Sequence, residues 1–262
     1  MGSSMRIVRY RDPSTGHSAT GIVEDDRVLF AAGNPFEPDG LLPGIAVGLL
    51  SEVRLLAPVV PTKVVCVGLN YAAHAAEHDF GRGIGSEPVI FLKPPSAIIG
   101  PDEAVILANP GNRTDFEAEL AIVIGQRARH VSEGRALDHI AGYTAANDVC
   151  DRVIQEQDGQ WMRSKGYDTY CPLGPWIETE LDPSNVGVRS RLNGSIRQDS
   201  TTANMVFGVP FLVAFISRVM TLERGDVILT GTPEGIGAMQ PGDMVEIEIG
   251  GVGTLRNPVI GS

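Results

Sequence analysis

Cysteine is scarce in this chain. Cys66, Cys150 and Cys171 are the only three; they lack CxxC spacing and lie among apolar or mixed neighbours, which excludes a disulfide framework and a thiolate zinc site. They are expected to be reduced, in a cytoplasmic protein. Cations are also in short supply: 21 Lys and Arg stand against 32 Asp and Glu, a formal charge of -11. Without clustered cations a nucleic-acid groove is not expected. A small anionic ligand stays admissible, because a metal ion and a few local cations can reverse the sign of one pocket. No apolar run approaches the roughly 18 residues of a membrane span, and no signal-peptide core follows the start, so no membrane partner is expected. Met1-Gly2-Ser3-Ser4 reads as a tag remnant ahead of a native start at Met5.

The 262 residues, 43% of them hydrophobic, suffice for one large domain or for a small domain beside a larger one. From Met5 to about Leu56, short apolar pieces (Arg6-Ile7-Val8, Thr20-Gly21-Ile22-Val23, Arg27-Val28-Leu29-Phe30) alternate with turn-forming Asp, Gly and Pro, the pattern of a small β-rich N-terminal domain. Two prolines bracket the connector Pro58-Val59-Val60-Pro61, which places the domains at residues 5–58 and 59–262. Beyond the connector, Val64 to Gly68, Val89 to Leu92, Leu120 to Gly125 and Tyr143 to Ala146 are short, apolar and closed by Gly, Pro or polar residues, as strands are. Helical spacing appears in only a few places, chiefly Ser132–His139 and Val209–Met220. From Gly225 onward, strand and Gly or Pro turn alternate, predicting a meander or roll and not a β-α-β nucleotide fold. The fold class is therefore mainly β (α+β).

In Asp115-Phe116-Glu117-Ala118-Glu119-Leu120, period-two alternation points Glu117 and Glu119 to one face and Ala118, Leu120, Ile122 and Ile124 to the other. Two neighbouring carboxylates out of water repel unless a cation lies between them; the alternative is a solvated strand face. Asp148 stands where the strand around Tyr143 to Ala146 would end, either as a turn residue or as a third oxygen ligand. With no Cys/His cluster, such a site suits Mg²⁺, Mn²⁺ or Ca²⁺ over Zn²⁺. His74 and Glu77, three apart in an Ala-rich stretch, fall side by side on a helical turn, either as a general-base dyad or as a surface pair. Gly81, Gly83 and Gly85 follow, as a lid would require. Arg152, Gln155 and Lys165 are further polar candidates, or simply solvated side chains. Thr230-Gly231-Thr232-Pro233 lacks the GxxxxGK[ST] pattern, and its glycines read as β-turns.

Six stretches in order resemble the fumarylacetoacetate hydrolase family across roughly Pro61 to Asn257: Val67 to His74, Phe91-Leu92-Lys93-Pro94, Phe116 to Leu120, Gly142-Tyr143 to Asn147-Asp148, Ser164 to Asp168, and Leu229 to Gly235. The pattern is similar to the compact bacterial branch of acylpyruvate hydrolases, oxaloacetate decarboxylases and isomerases or decarboxylases of homoprotocatechuate breakdown. The resemblance implies a mixed β-roll with a small N-terminal domain, a homodimer, and one divalent cation per chain, Mg²⁺ or Mn²⁺ with Ca²⁺ admissible, on Glu117, Glu119 and Asp148. It implies that Lys165, as a catalytic residue, with Gln155 and Arg152 holds the substrate and stabilises developing enolate charge, that Thr232 contacts the substrate carboxylate, and that His74 and Glu77 are a water-activating catalytic pair on a lid. The implied reaction is hydrolysis of a C–C bond in an acylpyruvate-like 2,4-dioxo acid through a metal-stabilised enolate. The alternatives are 2-hydroxyhepta-2,4-diene-1,7-dioate isomerase, decarboxylation of 5-oxopent-3-ene-1,2,5-tricarboxylate or oxaloacetate, and a non-catalytic ligand-binding member. The chain departs from the family pattern at Ala73, where many relatives carry Asp, and at Asp151 and Val153 around Arg152.

Overall fold

Runs of Val, Ile and Leu closed by Gly or Pro form strands where their pattern predicts them: Val64–Gly68, Val89–Lys93, Ala118–Ile124, Ile140–Asn147 and Val227–Leu229. In the computed structural model the described residues are 5–37, 40–77 and 84–262. The tag-like residues 1–4 and the lid glycines Gly81 and Gly83 fall outside them. A 12-stranded sheet dominates, in the order Leu41–Leu49, Arg27–Gly33, Ser18–Glu24, Arg6–Arg11, Cys171–Glu178, Ile140–Asn147, Ala118–Ile124, Val227–Leu229, Val64–Gly68, Val89–Lys93, with two short strands off this path. The N-terminal strands thus continue the main sheet, joined where Arg6–Arg11 pairs antiparallel with Cys171–Glu178. They also enclose a small core of their own from Val8, Tyr10, Val23 and Val28.

Ala118–Ile124 lies at the centre and is buried along its whole length. Alternation sends its residues into two cores, because successive side chains leave opposite faces of a strand. Ala118, Leu120, Ile122 and Ile124 pack with Leu212 and Ile216 of the helix Val209–Val219, as the sequence pattern predicts for that face. Ala121 and Val123 pack with Val64, Cys66, Leu173 and Leu229. Each Leu or Ile taken from water contributes about 1.5–3 kcal/mol, so this strand is held firmly from both sides. What it carries at its start is therefore rigid.

Two expectations are changed. Glu133–His139 forms a 3-10 helix in place of an α-helix; Gly134 weakens it by about 1 kcal/mol, and Ala136 is its one buried residue. The C-terminal strands do not form a single meander. Val227–Leu229 pairs parallel with Val64–Gly68, Gly237–Ala238 pairs with Thr114–Phe116, and Met244–Ile249 and Gly253–Gly261 form a hairpin in a five-stranded sheet. The chain changes sheet at Gly231, whose φ of +95 and tight seat on Asn70 (an added Cβ would lie 2.7 Å from the Asn70 Cβ) admit no side chain.

Candidate metal centre and active site

Glu117 is the residue at which the chain crosses between sheets. Thr114–Phe116 belongs to a three-stranded sheet and Ala118–Ile124 to the large one. The crossing is pinned by Glu117 N donating to Asn147 Oδ1 (2.9 Å) and Asp148 N donating to Glu117 O (2.9 Å). Asp148 is thereby set against the glutamates, one residue past the strand Ile140–Asn147. Carboxylate oxygens of Glu117, Glu119 and Asp148 all lie within 4.8 Å of one another, and all three residues are buried.

Three short helices supply the rest. Ala72–Glu77 (α1) carries His74, which is 5% exposed. Arg152–Asp158 (α2) carries Arg152 and Gln155, and Met162–Lys165 (α3) carries Lys165. Thr232 arrives on the loop after Val227–Leu229. These five and the three acids line one cavity of about 20 Å³, room for about one water-sized particle. Glu77 stands behind His74, its Oε2 3.6 Å from His74 Nδ1, and both its oxygens accept from Gly235 N (3.1 and 3.2 Å). The predicted set is brought together entire, with Glu77 one layer back. A cleft of about 860 Å³ adjoins the cavity, sharing Leu69, Arg152, Gln155 and Trp161 with it.

Buried charges set the electrostatics. Lys165 Nζ donates to Glu117 Oε2 (2.7 Å) and to Asp148 Oδ2. Arg152 donates to Glu117 Oε1, Asp115 Oδ2 (2.9 Å) and Gln155 Oε1 (2.8 Å). Burial alone would raise the Glu117 pKa, but Lys165 and Arg152 outweigh it and hold the carboxyl below its ordinary range. Burial likewise opposes the Lys165 cation, and Asp148 and Glu117 reverse that, keeping it an ammonium. Glu119 is the exception. Burial and then repulsion from Asp148 and Glu117 push its pKa well up, and its hydrogen bond comes from an amide, Gly231 N (2.6 Å), with no Lys or Arg against it among the described residues. A buried carboxylate with repelling neighbours and no cation in contact, Lys165 acting on it only from a distance, at a water-sized cavity lined by hard oxygens, fits Mg²⁺, Mn²⁺ or Ca²⁺. His74 is shifted the other way: burial lowers its pKa, although Glu117 opposes this, so the ring is a neutral base near pH 7.

Lys93, Asp115, Asn147 and Gln198 were missed as site residues. Lys93, 1% exposed, donates to Asp148 Oδ1 and to Val149 O (3.1 Å). Asp115 was detectable, since it falls on the same alternating row as Glu117 and Glu119. Gln198 lies far along the chain, and nothing local marks it. The departures from the family pattern also find their places. Asp151 is the N-cap of α2: its side chain accepts from Ile154 N (3.1 Å) and from Asn109 and Asn112, which fixes the helix bearing Arg152 and Gln155. Val153 is 46% exposed. Ala73 is exposed too, while His74 beside it is buried, so position 73 is turned away from the acids.

The model of the fumarylacetoacetate (FAA) hydrolase C-terminal domain matches residues 63–260, and an Rv2993c-like N-terminal model matches residues 5–58. The chain belongs to the fumarylacetoacetate hydrolase family. Within that family it is similar to the 2-hydroxyhepta-2,4-diene-1,7-dioate isomerase of Mycobacterium marinum, at 43% identity and a TM-score of 0.88 over 98% of this chain and 99% of that one. Maleylpyruvate hydrolase from Sphingobium sp. SYK-6, solved with manganese(II) and pyruvate, matches at 31% identity and a TM-score of 0.80, over 98% of this chain and 100% of that one. The mitochondrial oxaloacetate tautomerase fahd2 of Xenopus laevis is 41% identical over 223 residues, 80% of this chain and 69% of that protein. The family and its mainly β fold are as the sequence motifs imply. Among the described residues no helix is long and apolar enough to cross a membrane.

Proposed function

We propose that this protein is a divalent-metal-dependent enzyme that forms the enolate of a small 2-oxo acid, and that with His74 and Glu77 it hydrolyses the C–C bond of an acylpyruvate-like 2,4-dioxo acid. The observation that carries this reading is that His74, kept neutral by burial, lines the same cavity as the three carboxylates. Glu117, Glu119 and Asp148 would hold the cation. Bound there, a divalent ion supplies Lewis acidity, stabilising negative charge on the substrate's 2-oxo oxygen.

The chain's own groups do the remainder. Gln155 uses its Oε1 on Arg152, which leaves its NH₂ as a donor to a substrate oxygen. Thr232 is constrained differently. Its hydroxyl donates to Ala118 O (2.9 Å) and accepts from Gln198 Nε2 (2.8 Å), so its backbone N–H is the donor left for a substrate carboxylate. Lys165 and Arg152 supply fixed positive charge beside the forming enolate. His74 takes a proton from water as the water oxygen bonds to the C4 carbonyl carbon, and Glu77 stabilises the imidazolium. The C3–C4 bond then breaks, its electron pair passing into the pyruvate enolate, and the proton on His74 is returned to C3.

A second reading, isomerisation or tautomerisation without an attacking water, is favoured by the names of two relatives more than 40% identical. A panel of acylpyruvates, dienol dioates and oxaloacetate, run on wild type and His74→Ala with Mg²⁺ or Mn²⁺, separates the readings. Hydrolysis is expected to release pyruvate in wild type and to fall by roughly 100-fold or more in the variant. Full acylpyruvate hydrolysis by His74→Ala removes the dyad from the mechanism. Turnover confined to isomerisation or tautomerisation selects the second reading, CO₂ release alone selects a decarboxylase, and no turnover of any substrate favours a ligand-binding member.

A further inference from the structure

We propose that Arg113 binds a second carboxylate, so that the 2-oxo acid taken by this site is a dicarboxylate; this rests on the 2-oxo acid reading above. The ion pairs of the site form one unbroken line of alternating sign: Lys93, Asp148, Lys165, Glu117, Arg152, Asp115, Arg113. The first six members are buried. Arg113, the last, has a side chain 50% exposed and lines the large cleft beside Arg152, Gln155 and Trp161.

Its guanidinium is held in place. Nε and Nη2 donate to Asp115 Oδ1 (2.8 Å) and Oδ2 (3.0 Å), and its carbonyl accepts from Arg152 N (2.9 Å). Nη1 makes no hydrogen bond among the described residues, so its two N–H groups are left as donors on a half-exposed, already oriented fork that lines the cleft. Such preorganisation lowers the entropy lost when a carboxylate binds. Asp115 divides its charge between Arg113 and Arg152 and cannot neutralise both.

The charge balance points the same way. The line holds four cations and three acids, and Glu119 brings the acids to four. A divalent ion then leaves two positive charges, matched by a dianion and only half matched by a monoanion. Glu156 is exposed on the cleft wall, and Glu77 accepts from Gly235 N one layer back with its side chain 33% exposed, so solvent and salt screen both charges. Much of the remaining cleft wall is apolar, from Val89, Phe91, Trp161 and Met162. This suits a carbon chain running from the acid cavity toward Arg113.

The test is calorimetric binding of 2-oxoadipate and of 2-oxohexanoate, equal in length and differing in the terminal carboxylate, to the Mg²⁺-loaded full chain. Wild type is expected to prefer 2-oxoadipate by roughly ten- to hundredfold, the worth of one charge-assisted pair. Arg113→Gln is expected to lose that preference and Arg113→Lys to keep part of it. The preference is a ratio within each protein, so any loosening of Asp115 affects both ligands and cancels. No preference in wild type, or an unchanged preference in Arg113→Gln, overturns the role of Arg113 while leaving the 2-oxo acid reading in place. Failure of both acids to bind wild type overturns that reading and this inference with it.

Discussion

Replacing Gln198 by Met tests whether the acid cluster is held from a distance. Gln198 is fully buried, and its one side chain joins both halves of the site. Its Oε1 accepts from Ala118 N (3.0 Å), the residue between Glu117 and Glu119, and its Nε2 donates to Thr232 Oγ1 (2.8 Å) and to Pro233 O (2.7 Å). Met has nearly the shape of Gln but no hydrogen bonds, so the change leaves Ala118 N–H and Pro233 C=O buried and unpaired. Each such group costs about 1–3 kcal/mol. Thr232 loses an accepted bond but keeps its donation to Ala118 O, which adds little. The total is about 2–6 kcal/mol, or a fall in Tm of roughly 5–20 °C for a chain of this size. Because Ala118 sets the spacing of the two glutamates, Mn²⁺ affinity is expected to fall by about tenfold or more as well. Thermal melts and Mn²⁺ calorimetry on the same preparations give both numbers. A variant that melts within about 2 °C of wild type and binds Mn²⁺ equally would refute the reasoning.

Other consequences follow from single contacts. A Cβ at Gly68 would lie 2.2 Å from Trp161 Cζ3, so Gly68→Ala is expected to drive Trp161 off its seat against Phe91, to which it is edge-packed at 5.4 Å. The change should appear as a raised KM for substrates reaching the cleft, with kcat moving less; equal KM values would place Trp161 outside the substrate's path. Asp151→Ala removes the α2 cap, and about 0.5–2 kcal/mol of stability should go with a KM rise, read by melts and steady-state kinetics. On the proposed mechanism, His74 is expected to set the acid side of the pH profile of hydrolysis. Burial lowers the pKa of that residue, so activity should persist below the ordinary imidazole range and be lost only as pH falls through the lowered value. An acid limb at or above about pH 6.5 would show that the ring is not buried as described.

Much of this was legible in the sequence, and the physical reasons separate what was from what was not. Local periodicity placed Glu117 and Glu119 on one face, opposite Ala118, Leu120 and Ile122, because alternation is a property of the strand alone. The turn joining His74 to Glu77 is equally local. Lys93 stands within one of the family stretches without a role legible there, and Gln198 has no local mark at all, since they act on residues 55 and 80 positions away respectively and no local pattern encodes a partner that distant. Whether the strands after Gly225 form a meander or a roll was not legible for a related reason. Strand and turn residues are recognisable one by one, but the choice among three sheets is made by long-range pairing.

Glu119 has no Lys or Arg in contact among the described residues, and a divalent cation is expected to be its partner. Calorimetric titration of Mn²⁺ into metal-free protein, wild type against Glu119→Gln, tests it directly. Wild type is expected to bind one ion per chain, and the variant to lose roughly 100-fold or more in affinity. The metal-free variant should be at least as stable as wild type, since a neutral amide relieves the repulsion from Glu117 and Asp148. Equal Mn²⁺ affinity in the two proteins, or no binding to wild type, would contradict it.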